Sequence, residues 1–216
     1  MVLPANRKRA RSDSEKEARR GAILDAARRL IDQDGFDGVT MSAVAKEAAV
    51  SKGTLYLYVH TKEELFLALF VEAMEQVVCR IEAEATSVTL IEVMGRVPAE
   101  VPLFVPLLAR LVAVIEANVP DEPLFAEKRR MHTMGARVAR LISNVTGAPE
   151  DLARDASKAL MLTMQGAAQF DIAARRDLSG VPDDLRPAFE GQEFSCSFPL
   201  AARLILSGLT PSSAVN

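Results

Sequence analysis

The stretch that decides the fold is Ser51–Leu65, with the sequence SKGTLYLYVHTKEEL. Its centre, Leu55–Val59, alternates aliphatic and aromatic residues, a pattern typical of a half-buried β-strand. The flanking residues favour helices instead, because Ser51 is a good N-cap and Thr61–Glu64 matches a capping box that starts a new helix. No other segment offers a partner strand. We therefore interpret residues 51–59 as a short helix with Leu55 and Val59 on one face.

Helical spacing of apolar residues continues on both sides of this stretch, and no repeat is visible. Gly35 is expected to end the first helix, and Pro199 is expected to place the start of the last one near Ser197 or Phe198. The pattern predicts an all-α fold of about nine helices: Glu15–Asp34, one after Thr40, one after Ser51, Lys62–Glu84, Ser87–Arg96, Leu103–Asn118, Asp121–Val145, Glu150–Arg176 and one within Phe194–Leu209.

Composition is that of a soluble globular protein, with 49% hydrophobic and 25% charged residues in a chain of 216. The two cysteines are far apart in sequence and favour a reducing cytoplasm over a disulfide framework. The chain has only two histidines, too few for most histidine-based metal sites or catalytic relays, so no cofactor and no metal are predicted. The N-terminus lacks the apolar segment of a signal peptide, and Val101–Ile115 is too short to span a membrane.

Charge is distributed unevenly along the chain. Residues 1–62 hold 12 Lys/Arg and 8 Asp/Glu, whereas the remainder holds 14 and 21, so balances of +4 and −7 make up the net charge of −3. A basic first quarter indicates that the N-terminal part alone meets a polyanion. For the basic arm at Arg7–Arg11, contact with DNA and a solvated tail remain alternatives.

Residues 40–59 form two short predicted helices joined by the turn Ala49–Ser51, which is helix-turn-helix spacing. In that motif the second helix enters the major groove of DNA. Lys52 offers an ammonium to guanine or phosphate, and Gly53 permits close approach of the backbone. Tyr56 combines an apolar ring with a hydroxyl group, although the alternative of a half-buried structural tyrosine stays open for both tyrosines.

The motif lies within AILDAARRLIDQDGFDGVTMSAVAKEAAVSKGTLYLYVHTKEELF, which resembles the DNA-binding domain of TetR/AcrR-type transcriptional regulators over roughly residues 20–70. The resemblance implies a DNA-binding domain at residues 15–62 and a ligand-binding and dimerisation domain at 63–209. From their composition, residues 1–14 are interpreted as a disordered basic arm and residues 210–216 as a frayed tail. By this resemblance Lys52, Gly53, Thr54 and Tyr56 face bases or nearby backbone, and Thr40, Ser51, Tyr58 and Lys62 hold phosphates.

Two residues depart from the pattern of the family. Ala49 stands where glycine is frequent in the turn, so it carries backbone strain if its φ is positive. Val59 stands where an aromatic core residue is common and leaves less volume under the second helix of the motif. Neither residue belongs to the proposed DNA face, so both bear on the rigidity of the domain and not on its function.

The C-terminal two-thirds is interpreted mainly from its apolar residues. Methionine suits an adaptable pocket, and polar groups on apolar helices can orient a ligand, although filling of a core is the competing explanation. The candidate ligand-binding residues are Met74, Phe104, Leu107, Leu111, Met131, His132, Met164 and Gln165.

The last two helices are candidates for a dimer interface. Small residues on Glu150–Arg176 allow close approach of helices, and the resemblance implies that this helix and the last one pair with their symmetry mates in a four-helix bundle. Packing inside one chain explains alanine-rich faces equally well. The candidate interface residues are Ala159, Gly166, Ala167, Phe194, Phe198, Leu200 and Ile205.

Together these observations predict a homodimeric, ligand-responsive repressor that binds a palindromic operator in double-stranded DNA and is released by a small, largely apolar effector. It is expected to be cytoplasmic and nucleoid-associated when bound to DNA. An enzyme is disfavoured because no nucleophile elbow, metal-ligand cluster or phosphate loop is present. A helical interaction module that has lost DNA binding is disfavoured by the intact motif at residues 51–62.

Overall fold

The computed structural model describes the backbone of residues 5–174, 177 and 179–209, with side chains from residue 14 onward except those of 173, 174 and 188. These residues form nine α-helices and no strand, which confirms the all-α prediction. The helices are α1 (Ala5–Gly38), α2 (Met41–Glu47), α3 (Lys52–Tyr56), α4 (Lys62–Glu84), α5 (Leu90–Glu100), α6 (Phe104–Arg110), α7 (Asp121–Thr146), α8 (Glu150–Ala174) and α9 (Phe194–Ser207).

The chain divides into two units, Met1–Leu69 and Phe70–Asn216, and the division falls within α4. In the first unit the apolar face of α1 is buried, and α2 packs against both α1 and α3. Gly35 has a φ of 70° and interrupts the helical backbone of α1 where the sequence predicts its end. Beyond this break Phe36 meets Phe66 edge to face, with ring centroids 5.5 Å apart.

Helix α1 begins ten residues before the predicted helix at Glu15, so the backbone of most of the predicted disordered arm is helical. Residues 5–20 contain no proline or glycine and are rich in alanine, arginine, lysine and glutamate, which are strong helix formers. The side chains of Arg7–Arg11 lie outside the described residues, as does the tail at 210–216. Their predicted roles stay predictions.

The predicted single helix over Leu103–Asn118 is divided into three parts. Helix α6 is followed by a π-helical turn at Leu111–Ile115 and a 3₁₀ turn at Glu116–Asn118. Leu103, in the left-handed region at a φ of 62°, separates α5 from α6. No single described helix is long and apolar enough to cross a membrane. Helix α5 and the segment from Phe104 to Asn118 are together long and apolar enough, but the pair is bent by 80°.

Helix α9 begins at Phe194, earlier than Pro199 predicts, and contains this proline in its interior. The missing N–H of Pro199 removes the helical bond to the carbonyl of Ser195, which is an exposed residue. The rings of Phe194 and Phe198 stack at 5.1 Å and are both buried. Burial of two aromatic rings, each worth up to about 3 kcal/mol, outweighs the lost hydrogen bond.

Glycine at position 95 lets α5 and α9 approach closely. A Cβ atom built on Gly95 would lie 3.0 Å from the Cβ of Pro199, closer than side-chain packing normally allows. The two helices pack against each other, and α9 also packs against α8. Within this unit α7 and α8 form an antiparallel hairpin, closed by Gly147 in the left-handed conformation at a φ of 73°.

Candidate nucleic-acid interface and ligand cavity

The turn between α2 and α3 is a Schellman motif built on an alanine. The N–H of Val50 donates to the carbonyl of Ala45 at 2.9 Å, and that of Ala49 donates to Lys46 at 3.1 Å. Ala49 occupies the position where glycine is usual and has a φ of 53°. The condition for backbone strain at Ala49 is therefore met, and the turn holds a non-glycine residue in a conformation that costs about 1–2 kcal/mol.

Helix α3 is anchored by one buried leucine and capped by a serine. Leu55 is fully buried, and the N–H of Val59 donates to its carbonyl at 3.1 Å, which keeps the buried Val59 on the same side. Ser51 Oγ accepts from the N–H of Thr54 at 3.0 Å, as predicted for an N-cap. The Ser51 and Thr54 hydroxyls also lie 2.8 Å apart. One hydroxyl proton of this pair is used in that bond, and the other remains available to an external acceptor.

The predicted DNA-binding residues all lie between Thr40 and the first residue of α4. Thr40 accepts from the N–H of Ala43 at 3.1 Å, which leaves its hydroxyl proton available. Thr40, Ser51, Lys52, Gly53 and Tyr56 are exposed, and Thr54, Tyr58 and Lys62 are half-buried. Leu57, the residue that follows α3, is 80% exposed and was not singled out by the sequence reasoning.

The start of α4 beside Lys62 is fixed by a variant of the predicted capping box. Thr61 Oγ1 accepts from the N–H of Glu64 at 3.1 Å. The carboxylate of Glu64 accepts from the N–H of His60 at 2.9 Å, one residue before the cap. Glu64 is buried, so this contact ties the end of the helix-turn-helix segment to the start of the next helix.

The second unit contains a cavity of about 1140 Å³ between α4, α5, α6, α7 and α8. Its walls are mostly apolar and include five of the eight methionines of the chain. Of the eight predicted ligand-binding residues, seven line it: Met74, Phe104, Leu111, Met131, His132, Met164 and Gln165. Leu107 is fully buried among other side chains and is not part of the cavity wall.

Two glutamines of α8 hydrogen-bond the backbone where α6 passes into the π-helical turn. Gln165 Nε2 donates to the carbonyl of Leu108 at 2.7 Å, and Gln169 Nε2 donates to that of Ala109. A change from α- to π-helical pairing disturbs the regular backbone bonding at this point. The glutamines supply partners to these carbonyls, so Gln165 lines the cavity with one of its two amide hydrogens already used.

Arg137 of α7 connects two carboxylates of α4 in the second unit. It donates to Glu82 Oε2 at 2.5 Å and to Oε1 at 3.0 Å, and it also contacts Glu75. Hydrogen bonds from Arg137 lower the pKa of both carboxyl groups. Because a lowered pKa stabilises the fold above the ordinary carboxyl pKa, this contribution is present at neutral pH and is lost as the pH falls through the lowered values.

The predicted dimer residues divide into a buried and an accessible group. Phe194, Phe198 and Ala167 are buried within the protomer, so they belong to its core and are not available to a partner. The physical reason is that α9 turns its phenylalanines inward, where its neighbours α5 and α8 pack. Leu200 is 56% exposed, and Ala159, Gly166 and Ile205 are half-buried. Leu204 of α9 is also exposed, and so are two residues of α8 that the sequence reasoning did not assign to an interface, Leu162 and Phe170.

Comparison with known proteins identifies both parts of the chain. Residues 23–69 match the model of bacterial regulatory proteins of the tetR family. Residues 65–179, more than half of the chain, match the model of the tetracyclin repressor-like C-terminal domain. The chain belongs to the TetR family. Since this is a family of transcriptional regulators and not of enzymes, the prediction that the protein is not an enzyme is confirmed.

Curated relatives are similar to this TetR-family chain mainly over the DNA-binding segment. The fatty acid metabolism regulator protein of Bacillus subtilis (strain 168) is 40% identical over 62 residues, which is 29% of this chain and 32% of that protein. The regulator UidR of Escherichia coli (strain K12) is 31% identical over 81 residues, 38% of this chain and 41% of that protein. The chain thus spans about a third to two-fifths of the length of these relatives.

Solved structures share the fold over most of the chain. A possible TetR family regulator from Streptomyces coelicolor A3(2) has a TM-score of 0.60 at 18% identity and covers 88% of this chain and 98% of its own. FadR from Bacillus subtilis, in complex with stearoyl-CoA, has a TM-score of 0.53 at 19% identity, with 88% and 97% covered. At these identities the similarity establishes the TetR fold alone.

Proposed function

We propose that this TetR-family protein is a homodimeric repressor that binds a palindromic operator and is released by a small, largely apolar effector. The observation that carries the proposal is the surface of α3. Leu55 holds the helix against its own unit, whereas Lys52, Gly53 and Tyr56 are left exposed on it. Such a surface suits the second helix of a helix-turn-helix, which presents its N-terminal residues to base edges in the major groove.

Gly53 supplies an argument from the protomer itself. A Cβ atom at this position would meet only Ser51 Oγ, at an ordinary contact distance of 3.8 Å, so packing does not require glycine. Glycine inside a helix costs about 0.5–1 kcal/mol relative to alanine. A residue that lowers helix stability without a reason in its own chain fits a surface on which DNA approaches the backbone closely.

The remaining predicted contacts divide by chemistry. Lys52, Thr54 and Tyr56 are assigned to base edges and nearby backbone, where an ammonium, a methyl group and an aromatic ring discriminate between bases. Thr40, Ser51, Tyr58 and Lys62 are assigned to phosphates, which fix the position of the protein without reading sequence. The unused hydroxyl proton of Thr40 and the one left by the Ser51–Thr54 pair support this role.

The proposed dimer uses the exposed faces of α8 and α9. On α8, Leu162, Gly166 and Phe170 are spaced four residues apart and share one face, with Leu162 75% and Phe170 56% exposed. On α9, Leu200 and Leu204 are likewise four apart and are 56% and 68% exposed. Large exposed apolar residues on two packed helices are typical of an interaction surface. A second copy of the chain is the proposed partner, because in a two-fold dimer the same apolar face of each protomer is buried against that of the other.

The cavity of the second unit is the proposed effector site. It is slightly larger than most ligand pockets, and its wall of methionines suits an adaptable apolar site. Met74 and Ile81 place α4 in this wall, while the same helix begins at Lys62, a proposed phosphate contact. An effector acts through such a helix only if it binds the DNA-free and DNA-bound states with different affinity.

The proposed location is the cytoplasm, with association to the nucleoid when the protein is bound to DNA. The proposal is tested by selecting, in vitro, the genomic DNA fragments that bind the purified protein. The expected result is a set of fragments that share a palindrome, with two half-sites about one helical turn apart. Fragments without a shared motif would show adhesion to DNA and refute an operator-binding repressor. Retention of no DNA would favour a helical interaction module instead.

A further inference from the structure

Of the six charged residues that line the cavity, five lie toward its two ends, and the sixth, Lys158, forms an ion pair with Asp155 at 3.4 Å. At one end Lys128 forms an ion pair with Glu116 at 2.5 Å, so these charges neutralise each other. The other end lies nearest the turn between α7 and α8, where Arg140, Glu150 and Arg154 line the wall. Both arginines are exposed, and within the described residues neither forms an ion pair. Glu150 is the one carboxylate beside them in the wall, and outside it Glu82, whose pKa is lowered chiefly by Arg137, also interacts with the charge of Arg140.

The two arginines lie at nearly the same level of the α7–α8 hairpin. Ser157 Oγ donates to the carbonyl of Gly135 at 3.3 Å, which fixes the register of the antiparallel pair. Arg140 follows Gly135 by five residues, and Arg154 precedes Ser157 by three, so both are displaced toward the turn. At a rise of about 1.5 Å per residue their Cα atoms differ by only about 3 Å along the helix axis. Guanidinium groups placed in this way can share one anionic group between them.

The middle of the cavity offers hydrocarbon contacts and few free hydrogen-bond donors. Met131, Met161 and Met164 contribute flexible apolar side chains there. The polar side chains nearby already donate within the protein, namely Ser157 to Gly135, Thr133 to Arg129 and Gln165 to Leu108. His132, which is exposed, is a further polar group in this part of the wall. The environment therefore favours an extended apolar chain.

The length of the wall also favours a long chain over a compact ring system. The residues of α7 that line the cavity run from Lys128 to Arg140. Twelve residues of helix correspond to about 18 Å. The apolar middle lies between the neutralised ion pair at one end of this length and the two arginines at the other.

We infer that the cavity binds a long-chain amphiphile, with an anionic headgroup between Arg140 and Arg154 and a hydrocarbon chain along α7 and α8 toward the Glu116–Lys128 pair. The inference rests on the proposed function of this cavity as the effector site. A free carboxylate and the phosphates of a larger acyl carrier are both anions that accept hydrogen bonds from two arginines. A neutral or cationic compound with the same hydrocarbon chain lacks such an anionic group.

The first test compares ligands with identical chains by isothermal titration calorimetry, at concentrations below those at which they form micelles. Hexadecanoate is expected to bind at least about ten times more tightly than hexadecan-1-ol, and hexadecyltrimethylammonium more weakly than either. Dodecanoate is expected to bind far more weakly than hexadecanoate, because each pair of methylene groups changes the dissociation constant about 15-fold. Equal binding of acid and alcohol, or binding independent of chain length, would overturn the inference.

The second test uses the variant in which both Arg140→Gln and Arg154→Gln are introduced, with Arg129→Gln as the matched control. Arg129 is exposed on the same helix and does not line the cavity. The double variant is expected to lose most of the preference for hexadecanoate over hexadecan-1-ol, while its affinity for the alcohol stays within about twofold. The control is expected to keep the preference. Loss of preference in the control, or its retention in the double variant, would contradict the assignment.

A third comparison, of hexadecanoate with hexadecanoyl-CoA, distinguishes the two sources of the anion. Tighter binding of the thioester assigns the arginines to phosphates, and tighter binding of the acid assigns them to a carboxylate. These measurements use the DNA-free protein, so they succeed or fail independently of operator binding. A protein that binds hexadecanoate without selecting DNA would refute the proposed function alone, and one that selects DNA without binding any amphiphile would refute the inference alone.

Discussion

Replacement of Ala49 by glycine is expected to stabilise the DNA-binding unit. Ala49 has a φ of 53°, and an L-residue in this region costs about 1–2 kcal/mol that glycine avoids. Glycine in turn loses about 0.4–1 kcal/mol through the greater freedom of its unfolded chain. The balance predicts that Ala49→Gly raises the free energy of unfolding by about 0.5–1 kcal/mol. The hydrogen bonds of the turn come from backbone atoms and remain available to glycine.

The neighbouring alanine provides the control. Ala48 has a φ of −78°, so Ala48→Gly relieves no strain and is expected to destabilise by about 0.4–1 kcal/mol through the unfolded state. Urea unfolding followed by far-ultraviolet circular dichroism measures both variants. With a slope of about 2 kcal/mol per molar urea, the midpoint moves up by about 0.3–0.5 M for one and down by a similar amount for the other. Shifts of the same sign would refute the strain argument.

Three further predictions concern DNA and assembly. Lys62→Ala is expected to weaken binding to all sequences and to flatten the log–log salt dependence by about one unit, whereas an unchanged slope would make Lys62 a merely solvated residue. Gly53→Ala is expected to stabilise the unfolding transition by about 0.5–1 kcal/mol while weakening operator binding in titrations, and unchanged binding would end the close-approach argument. Leu204→Glu is expected to give monomers in sedimentation velocity, because burial of a charge in an apolar interface is costly. The control is Leu185→Glu, which lies in a loop outside α8 and α9 and is expected to leave assembly unchanged.

The parts of the fold that were predictable from sequence depend on interactions between near neighbours. The cap at Ser51, the start of α4 at Thr61 and the break at Gly35 each follow from one side chain or one backbone position acting on residues within a turn. The positive φ of Ala49 was stated only as a condition for strain, because the sequence shows the absence of glycine from the turn but not its backbone conformation. Helix existence and helix boundaries in the DNA-binding segment were therefore largely visible in the sequence.

The second unit was less predictable because its features depend on contacts distant in sequence. Apolar periodicity shows that Phe198 faces an interior, but it does not distinguish the interior of one chain from an interface between two. The π-helical turn after α6 is compensated by Gln165 and Gln169, more than fifty residues away. Arg140 and Arg154 lie at nearly one level only because of the register of the α7–α8 hairpin, and no local pattern marks them as a pair.

The central claim is that the exposed face of α3 reads base sequence, and paired titrations of Lys52→Ala and Tyr56→Ala test it most directly. Each variant is titrated with the selected operator and with a scrambled duplex of equal length, at one fixed salt concentration. Each is predicted to lose about 1–3 kcal/mol on the operator, the cost of one direct base contact, and much less on the scrambled duplex. Equal losses on both duplexes would contradict the claim and reduce Lys52 and Tyr56 to contacts with the phosphate backbone.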